Sequence, residues 1–68
     1  MNNAQQVKFY YNTENKKLYK VINCKQITMW YRSRQEWRKC ATTAREVLEG
    51  YYAGRYQMIN EMKLGDYK

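Results

Sequence analysis

The side chains in this chain that could do acid–base or nucleophilic chemistry are tyrosine, lysine, arginine, glutamate and cysteine, because the sequence contains no histidine. Histidine is the commonest general acid–base residue, and the sequence also lacks a glycine-rich phosphate loop and carboxylates at metal-ligand spacing. A small basic ribonuclease could combine Lys8, Tyr10, Arg32 and Glu36, but no motif groups these residues. We therefore expect that the protein is not an enzyme.

Cys24 and Cys40 are the two cysteines of the chain, and they form no Cys-x-x-Cys pair. A tetrahedral structural zinc site needs four nitrogen or sulfur ligands, which this chain cannot supply alone. We expect no metal, no cofactor, and two reduced thiols, buried or inert, rather than a disulfide. The sequence shows neither a signal peptide nor a run of about 20 apolar residues, so we expect a cytoplasmic protein with no membrane segment.

The 68 residues carry a net charge of +7, and 16% of them are aromatic, a share too high for a disordered tail. The excess charge is concentrated in residues 1–35, where seven lysines and arginines accompany a single glutamate. One-sided positive charge attracts polyanions or acidic protein surfaces. The sequence therefore favours a small folded binding protein whose partner is nucleic acid or an acidic protein surface.

The first half of the sequence alternates along the chain in the way that β-strands do. Three such runs, at about 6–12, 18–23 and 26–32, are rich in tyrosine, valine and isoleucine and are separated by short polar segments. Short connections join antiparallel neighbours. The sequence therefore predicts a three-stranded antiparallel meander.

After residue 32 the pattern becomes helical. Residues 33–36, Ser-Arg-Gln-Glu, have the form of a capping box, in which the serine hydroxyl and the glutamate carboxylate bind free backbone N–H groups at a helix start. Apolar residues then recur at a helical period, at Trp37, Ala44, Tyr51 and Met58. The sequence therefore predicts a helical segment over about 34–63.

The predicted helical segment is too long for the predicted sheet. Unbroken, it would extend about 45 Å, whereas strands of about seven residues span only about 23 Å. The mismatch favours a break or kink at Gly50 and Gly54, since glycine in a helix interior costs about 1 kcal/mol relative to alanine. The alternative is an uninterrupted helix whose free surface packs against a second copy, as a homodimer, or against a partner.

The predicted fold class is α+β, a single domain over 1–68 with frayed ends at 1–5 and 64–68. The helical segment should pack on one face of the meander, leaving the other face open. The middle strand is ambiguous, because Lys20 alternates with the apolar Leu18 and Ile22. The helix-covered face is predicted to carry Val7, Phe9, Tyr11, Ile27, Met29 and Tyr31.

The predicted open face combines aromatic rings with cations. Bases stack on such rings at about 1–3 kcal/mol each, while lysine and arginine neutralise phosphates. We therefore expect a non-enzymatic module that binds nucleic acid, either single-stranded or through its backbone. The predicted binding residues are Lys8, Tyr10, Lys20, Trp30, Arg32 and Arg34.

A second interpretation is an accessory protein of the phage or mobile-element type, which inhibits or redirects a host enzyme by docking on an acidic protein surface. The helical half offers a candidate interface for such a partner at Arg45, Tyr52, Arg55 and Tyr56. Tyrosine and arginine are enriched at the energetic centres of protein–protein interfaces. Binding to protein that persists after nuclease treatment would separate this interpretation from the first.

Overall fold

The computed structural model describes residues 5–68 and contains a five-stranded sheet, one α-helix and a short 3-10 helix. The α+β class is therefore confirmed, while the frayed N-terminus predicted at 1–5 lies outside the described residues except for Gln5. In chain order the elements are β1 Val7–Asn12, β2 Leu18–Ile22, β3 Gln26–Tyr31, β4 Glu36–Arg38, α1 Ala44–Tyr52, β5 Tyr56–Ile59 and the 3-10 helix Glu61–Asp66.

The sheet has the strand order β4-β3-β2-β1-β5, and every neighbouring pair is antiparallel. β1 to β4 follow one another as hairpins, and α1 connects β4 at one edge to β5 at the other. β1, β2 and β3 lie close to the three predicted ranges. The predicted arrangement, a three-stranded meander followed by a long helix, is wrong, because residues 36–38 and 56–59 add two further strands.

The predicted capping box is the turn of the β3–β4 hairpin. The Arg34 N–H donates to the Tyr31 carbonyl at 3.2 Å, and Gln35 has a φ of 51°. A helix cap stabilises by about 1 kcal/mol. Pairing β4 with β3 instead places the partly buried Trp37 opposite Trp30, and an aromatic pair contributes about 0.5–1.5 kcal/mol beyond the apolar area that it buries. The strand therefore wins over the local helix signal.

The α-helix begins only at Ala44, after a different cap. The Thr43 hydroxyl accepts a hydrogen bond from the Glu46 N–H at 3.1 Å. The helix ends at Tyr52, within the segment where we expected a break, and Gly54 follows with a φ of +86° that glycine adopts without strain. The chain then continues as β5, not as a second helix.

The sheet is covered on both sides. On the helix face, α1 packs Val47 and Ala44 against Tyr10, Tyr19 and Val21 of the strands. On the opposite side, the 3-10 helix contributes Leu64 to a second core, so the residues expected to fray from 64 onward include a buried leucine. The members of this second core are Phe9, Leu18, Ile59 and Leu64, with Tyr11, Trp30, Trp37 and Tyr67 packed against it.

The register reverses the predicted orientation of β1. Phe9 is opposite Lys20, whereas Tyr10 is opposite Tyr19, which in turn is opposite Met29. The face predicted for Val7, Phe9 and Tyr11 is therefore wrong, since these residues point away from α1. The physical reason is that both sides of β1 are covered, so both sides carry aromatic rings and alternation alone does not identify the helix face.

Candidate nucleic-acid interface

Two tryptophans meet on the side of the sheet opposite α1. Trp30 of β3 and Trp37 of β4 are directly opposite each other, with ring centroids 5.2 Å apart and an interplanar angle of 64°. Phe9 extends the cluster, with its ring centroid 5.8 Å from that of Trp37. We call the surface formed by Phe9, Lys20, Trp30, Trp37 and Lys68 the tryptophan face.

A lysine lies over each tryptophan ring. The Lys20 Nζ is 5.0 Å from the ring centroid of Trp37, and the Lys68 Nζ is 4.5 Å from that of Trp30. Such contacts contribute about 0.5–1 kcal/mol at exposed sites. The tryptophan face therefore carries positive charge directly beside its rings. This is the arrangement that neutralises phosphates close to stacked bases.

Arg32 is held in place at the margin of this face. Its Nη2 donates to the Lys16 carbonyl at 3.0 Å and to the Tyr67 carbonyl at 3.3 Å. These bonds tie the β1–β2 turn and the C-terminal segment to the end of β3. Within residues 5–68, the Nε and Nη1 groups of this guanidinium have no hydrogen-bond partner, so they are available to an anion.

The structure divides the predicted binding residues into two groups. Lys20, Trp30 and Arg32 lie together on or beside the tryptophan face. Lys8 and Tyr10 lie on the helix face, so the prediction that they share a surface with Trp30 is wrong. Tyr10 is only 1% exposed, and its burial raises the pKa of its phenol.

Arg34, the sixth predicted residue, is exposed in the β3–β4 turn. Sequence reasoning missed Trp37 and Lys68 as members of the candidate site and assigned Phe9 to the other side. A signal for Trp37 was present, because Glu36-Trp37-Arg38 alternates polar, aromatic and polar residues as a half-buried strand does. No local pattern marks Lys68, which is placed by the fold.

The second predicted interface is not one exposed patch. Tyr52 is 83% exposed, and Arg45 forms an exposed ion pair with Glu49 at 3.3 Å. Arg55 is also exposed. Tyr56, by contrast, is part of the packing: its ring lies 5.7 Å from that of Tyr19 in an edge-on arrangement.

The structure removes the argument from helix length for a homodimer through the helical segment. We based it on a helix of about 30 residues whose surface exceeded that of the sheet. The observed helix, Ala44–Tyr52, has nine residues and packs on the sheet through Ala44, Val47 and Gly50. No surplus length of this helix is left to be covered by a second copy.

The two cysteines are free thiols. Cys24 is exposed and Cys40 is partly buried, and burial raises the pKa of the Cys40 thiol. Residues 5–68 contain no group of three or more cysteine, aspartate, glutamate or histidine side chains that could hold a metal ion. No helix in the same residues is long and apolar enough to cross a membrane.

The chain has no significant match among protein-family models, curated proteins or solved structures.

Proposed function

We propose that this protein binds single-stranded nucleic acid through the tryptophan face, without sequence-specific base contacts. The observation that carries the proposal is the pair of partly buried tryptophan rings with a lysine Nζ 4.5 Å and 5.0 Å from their centroids. Rings accept bases of any identity, and the adjacent cations attract the sugar-phosphate backbone. The protein is not expected to catalyse a reaction at this surface.

The energies favour exchange of the lysines for bases. A cation over an exposed ring contributes about 0.5–1 kcal/mol, whereas a stacked base contributes about 1–3 kcal/mol. Lysine has a long flexible side chain, so Lys20 and Lys68 can leave the rings and contact phosphates when bases take their place. The cations then act twice, first by keeping charge near the rings and afterwards by neutralising the bound strand.

The concentration of positive charge in the N-terminal half supports the same proposal. Residues 1–35 supply most of the net charge of +7. These residues build β1 to β3, and therefore most of the sheet. Such one-sided charge increases the rate at which a polyanion meets the protein and falls in effect as salt is added.

The test is a titration with a single-stranded oligonucleotide, followed by intrinsic fluorescence. Both tryptophans of the chain lie on the proposed face, so stacking should quench the signal directly. Each phosphate contact with a single strand contributes about −0.7 to the slope of log binding constant against log salt concentration. Contacts from Lys20, Arg32 and Lys68 therefore predict a slope of about −2 or steeper. Binding that does not change with ionic strength would refute the proposal.

A charge-matched pair of variants locates the surface. Lys20→Gln with Lys68→Gln removes two cations from the face without truncating a ring, and the slope should become less negative by about 1.4. Lys25→Gln with Arg45→Gln removes the same charge from the β2–β3 turn and the helix, and the slope should stay unchanged. Equal effects of the two pairs would show diffuse attraction and no defined site.

Docking on an acidic protein surface is a second candidate function. It is favoured by Tyr52 of α1, a large side chain that is 83% exposed and lies outside the tryptophan face. A complex with one stoichiometric protein partner that survives nuclease treatment would support it, provided that Tyr52→Ser abolishes the complex and Lys20→Gln with Lys68→Gln does not. Loss caused only by the lysine variant would assign that partner to the tryptophan face.

A further inference from the structure

A surface cavity opens where β2 and β3 separate. The two strands are paired from Ile22 opposite Gln26 to Tyr19 opposite Met29. Beyond this point β2 continues to pair with β1, and β3 continues to pair with β4. The space between them, closed by the β1–β2 and β3–β4 turns, is a cavity of about 340 Å³.

The walls of this cavity are cationic on both sides. Lys16 and Lys17 line it from the β1–β2 turn, and Arg32, with the Trp30 ring system beside it, lines it from the end of β3. None of the described lining residues carries a carboxylate. Arg32 bridges the two walls, since its Nη2 donates to the Lys16 carbonyl at 3.0 Å.

We propose that this cavity is a nucleotide subsite, in which a phosphate lies between Lys16, Lys17 and Arg32 and the attached nucleoside lies against Trp30. The inference rests on the proposed function, because it gives the single strand a defined point of attachment at one end of the tryptophan face. The volume is within the range of about 300–1,000 Å³ that small-ligand pockets occupy.

The fixed guanidinium selects a phosphate group as the ligand. Arginine donates charge-assisted hydrogen bonds to phosphate oxygens, and it does so best when its planar group is already oriented. In Arg32 the two carbonyl bonds of Nη2 provide that orientation. They leave Nε and Nη1, which lie on different edges of the guanidinium, to donate one hydrogen bond each to the ligand. The two neighbouring lysines add charge without a fixed geometry.

A second cavity lies beside the subsite, at the end of the tryptophan face that carries Lys68. It has a volume of about 350 Å³, and its lining includes Trp30, Arg32, Gln35 and Lys68. Trp30 and Arg32 are shared by the two cavities. A strand whose phosphate is held at Lys16 and Lys17 therefore has a route past Trp30 to the lysine that covers it.

The test removes the two turn lysines as Lys16→Asn with Lys17→Gln. Asparagine suits position 16, where φ is 59°. With five cations engaged, the wild-type salt slope should be about −3.5, and this variant should show about −2 and roughly 20-fold weaker binding at 0.1 M salt. The matched control, Lys8→Gln with Lys25→Gln, removes two cations near the opposite end of the sheet and should leave both values unchanged.

Ligand series then identify which phosphate is bound. A nucleoside monophosphate should quench the fluorescence of the wild type at concentrations where the unphosphorylated nucleoside does not. Oligonucleotides with hydroxyl ends, a 5′-phosphate or a 3′-phosphate then distinguish the two phosphate sources. A gain in affinity from a terminal phosphate that depends on Lys16 and Lys17 identifies a terminal monoester, whereas equal affinities that all fall in the Lys16 and Lys17 variant identify an internal diester. Equal affinity for nucleoside and nucleotide would overturn it.

The outcomes separate the subsite from the proposed function. If the Lys16 and Lys17 variant loses no more affinity than its control, the subsite is refuted, while the sensitivity to Lys20→Gln with Lys68→Gln still supports the tryptophan face. If oligonucleotides do not bind the wild type, the proposed function fails. Mononucleotide binding that depends on Lys16 and Lys17 would then stand as a separate finding.

Discussion

Gly50 is the position at which one added methyl group should disturb the packing most directly. It is buried in the interior of α1, and a Cβ at this position would lie 2.5 Å from both Cδ1 and Cε1 of Tyr56. Carbon atoms are at their optimum separation at about 3.5–4.0 Å. The change Gly50→Ala therefore requires the Tyr56 ring to move by about 1 Å.

The Tyr56 ring is restrained against that movement. It packs edge-on against Tyr19, and its backbone pairs with β1 opposite Asn12. Overpacking of this kind costs about 1–3 kcal/mol. Alanine recovers about 1 kcal/mol through its higher helix propensity.

We therefore expect Gly50→Ala to lower the free energy of unfolding by up to about 2 kcal/mol and the midpoint of thermal unfolding by up to roughly 15 °C. Denaturant titration followed by circular dichroism measures the first value. Gly65→Ala is the matched control, because a Cβ at Gly65 meets no atom within 4 Å, and its effect should stay within about 0.5 kcal/mol.

A double-mutant cycle decides whether the Tyr56 ring is the cause. In a Tyr56→Ala background the steric conflict is absent, so Gly50→Ala should stabilise the protein by up to about 1 kcal/mol through helix propensity alone. If Gly50→Ala is equally destabilising in both backgrounds, or stabilises the wild type, the argument from this contact is refuted.

Four further predictions concern single groups. Burial raises the pKa of the Tyr10 phenol above 10.0, so the folded state keeps a proton that the unfolded state releases. The free energy of unfolding should therefore fall as the pH rises past about 10. In denaturant titrations at several pH values, Tyr10→Phe should make the midpoint less dependent on pH. Asn12→Ala should cost about 1–3 kcal/mol, because the buried Oδ1 accepts two turn N–H groups at 2.8 and 3.0 Å; an unchanged midpoint would contradict this. Thr43→Ala should cost about 1 kcal/mol through loss of the helix cap, and Thr43→Ser should recover most of it. Iodoacetamide at pH 8 should label exposed Cys24 before Cys40, whose pKa is raised by burial, and equal labelling rates by mass spectrometry would count against the packing at Cys40.

The first three strands could be predicted because each has several alternating residues and a polar turn on either side. β4 and β5 could not, because they have only three and four residues. Their apolar side chains also fit a helical spacing by coincidence. Trp37 and Met58 are seven residues from Ala44 and Tyr51 respectively, although only the latter two lie in the helix.

The sequence predicted the residue types of the candidate site better than it predicted which residues form it. Trp30, Lys20 and Arg32 were identified from aromatic and cationic composition, and the structure brings them together. Trp37 was assigned to a helix that does not exist at that position, and Tyr10 to the wrong side of the sheet. Both errors concern which strands pair and in which register. Pairing depends on contacts between residues distant in sequence, which local patterns do not contain.

The aromatic rings of the tryptophan face are also packed in the second hydrophobic core, and this limits how the function of the face can be tested. Trp37 packs against Phe9 and Trp30, so truncating either tryptophan would remove packing in a chain that has little stability to lose. The same packing holds the rings in place, which lowers the entropy lost when a ligand stacks on them. The surrounding lysines reach solvent and can be neutralised while the core stays intact. Charge substitutions and salt dependence are therefore the measurements that separate binding from folding in this protein.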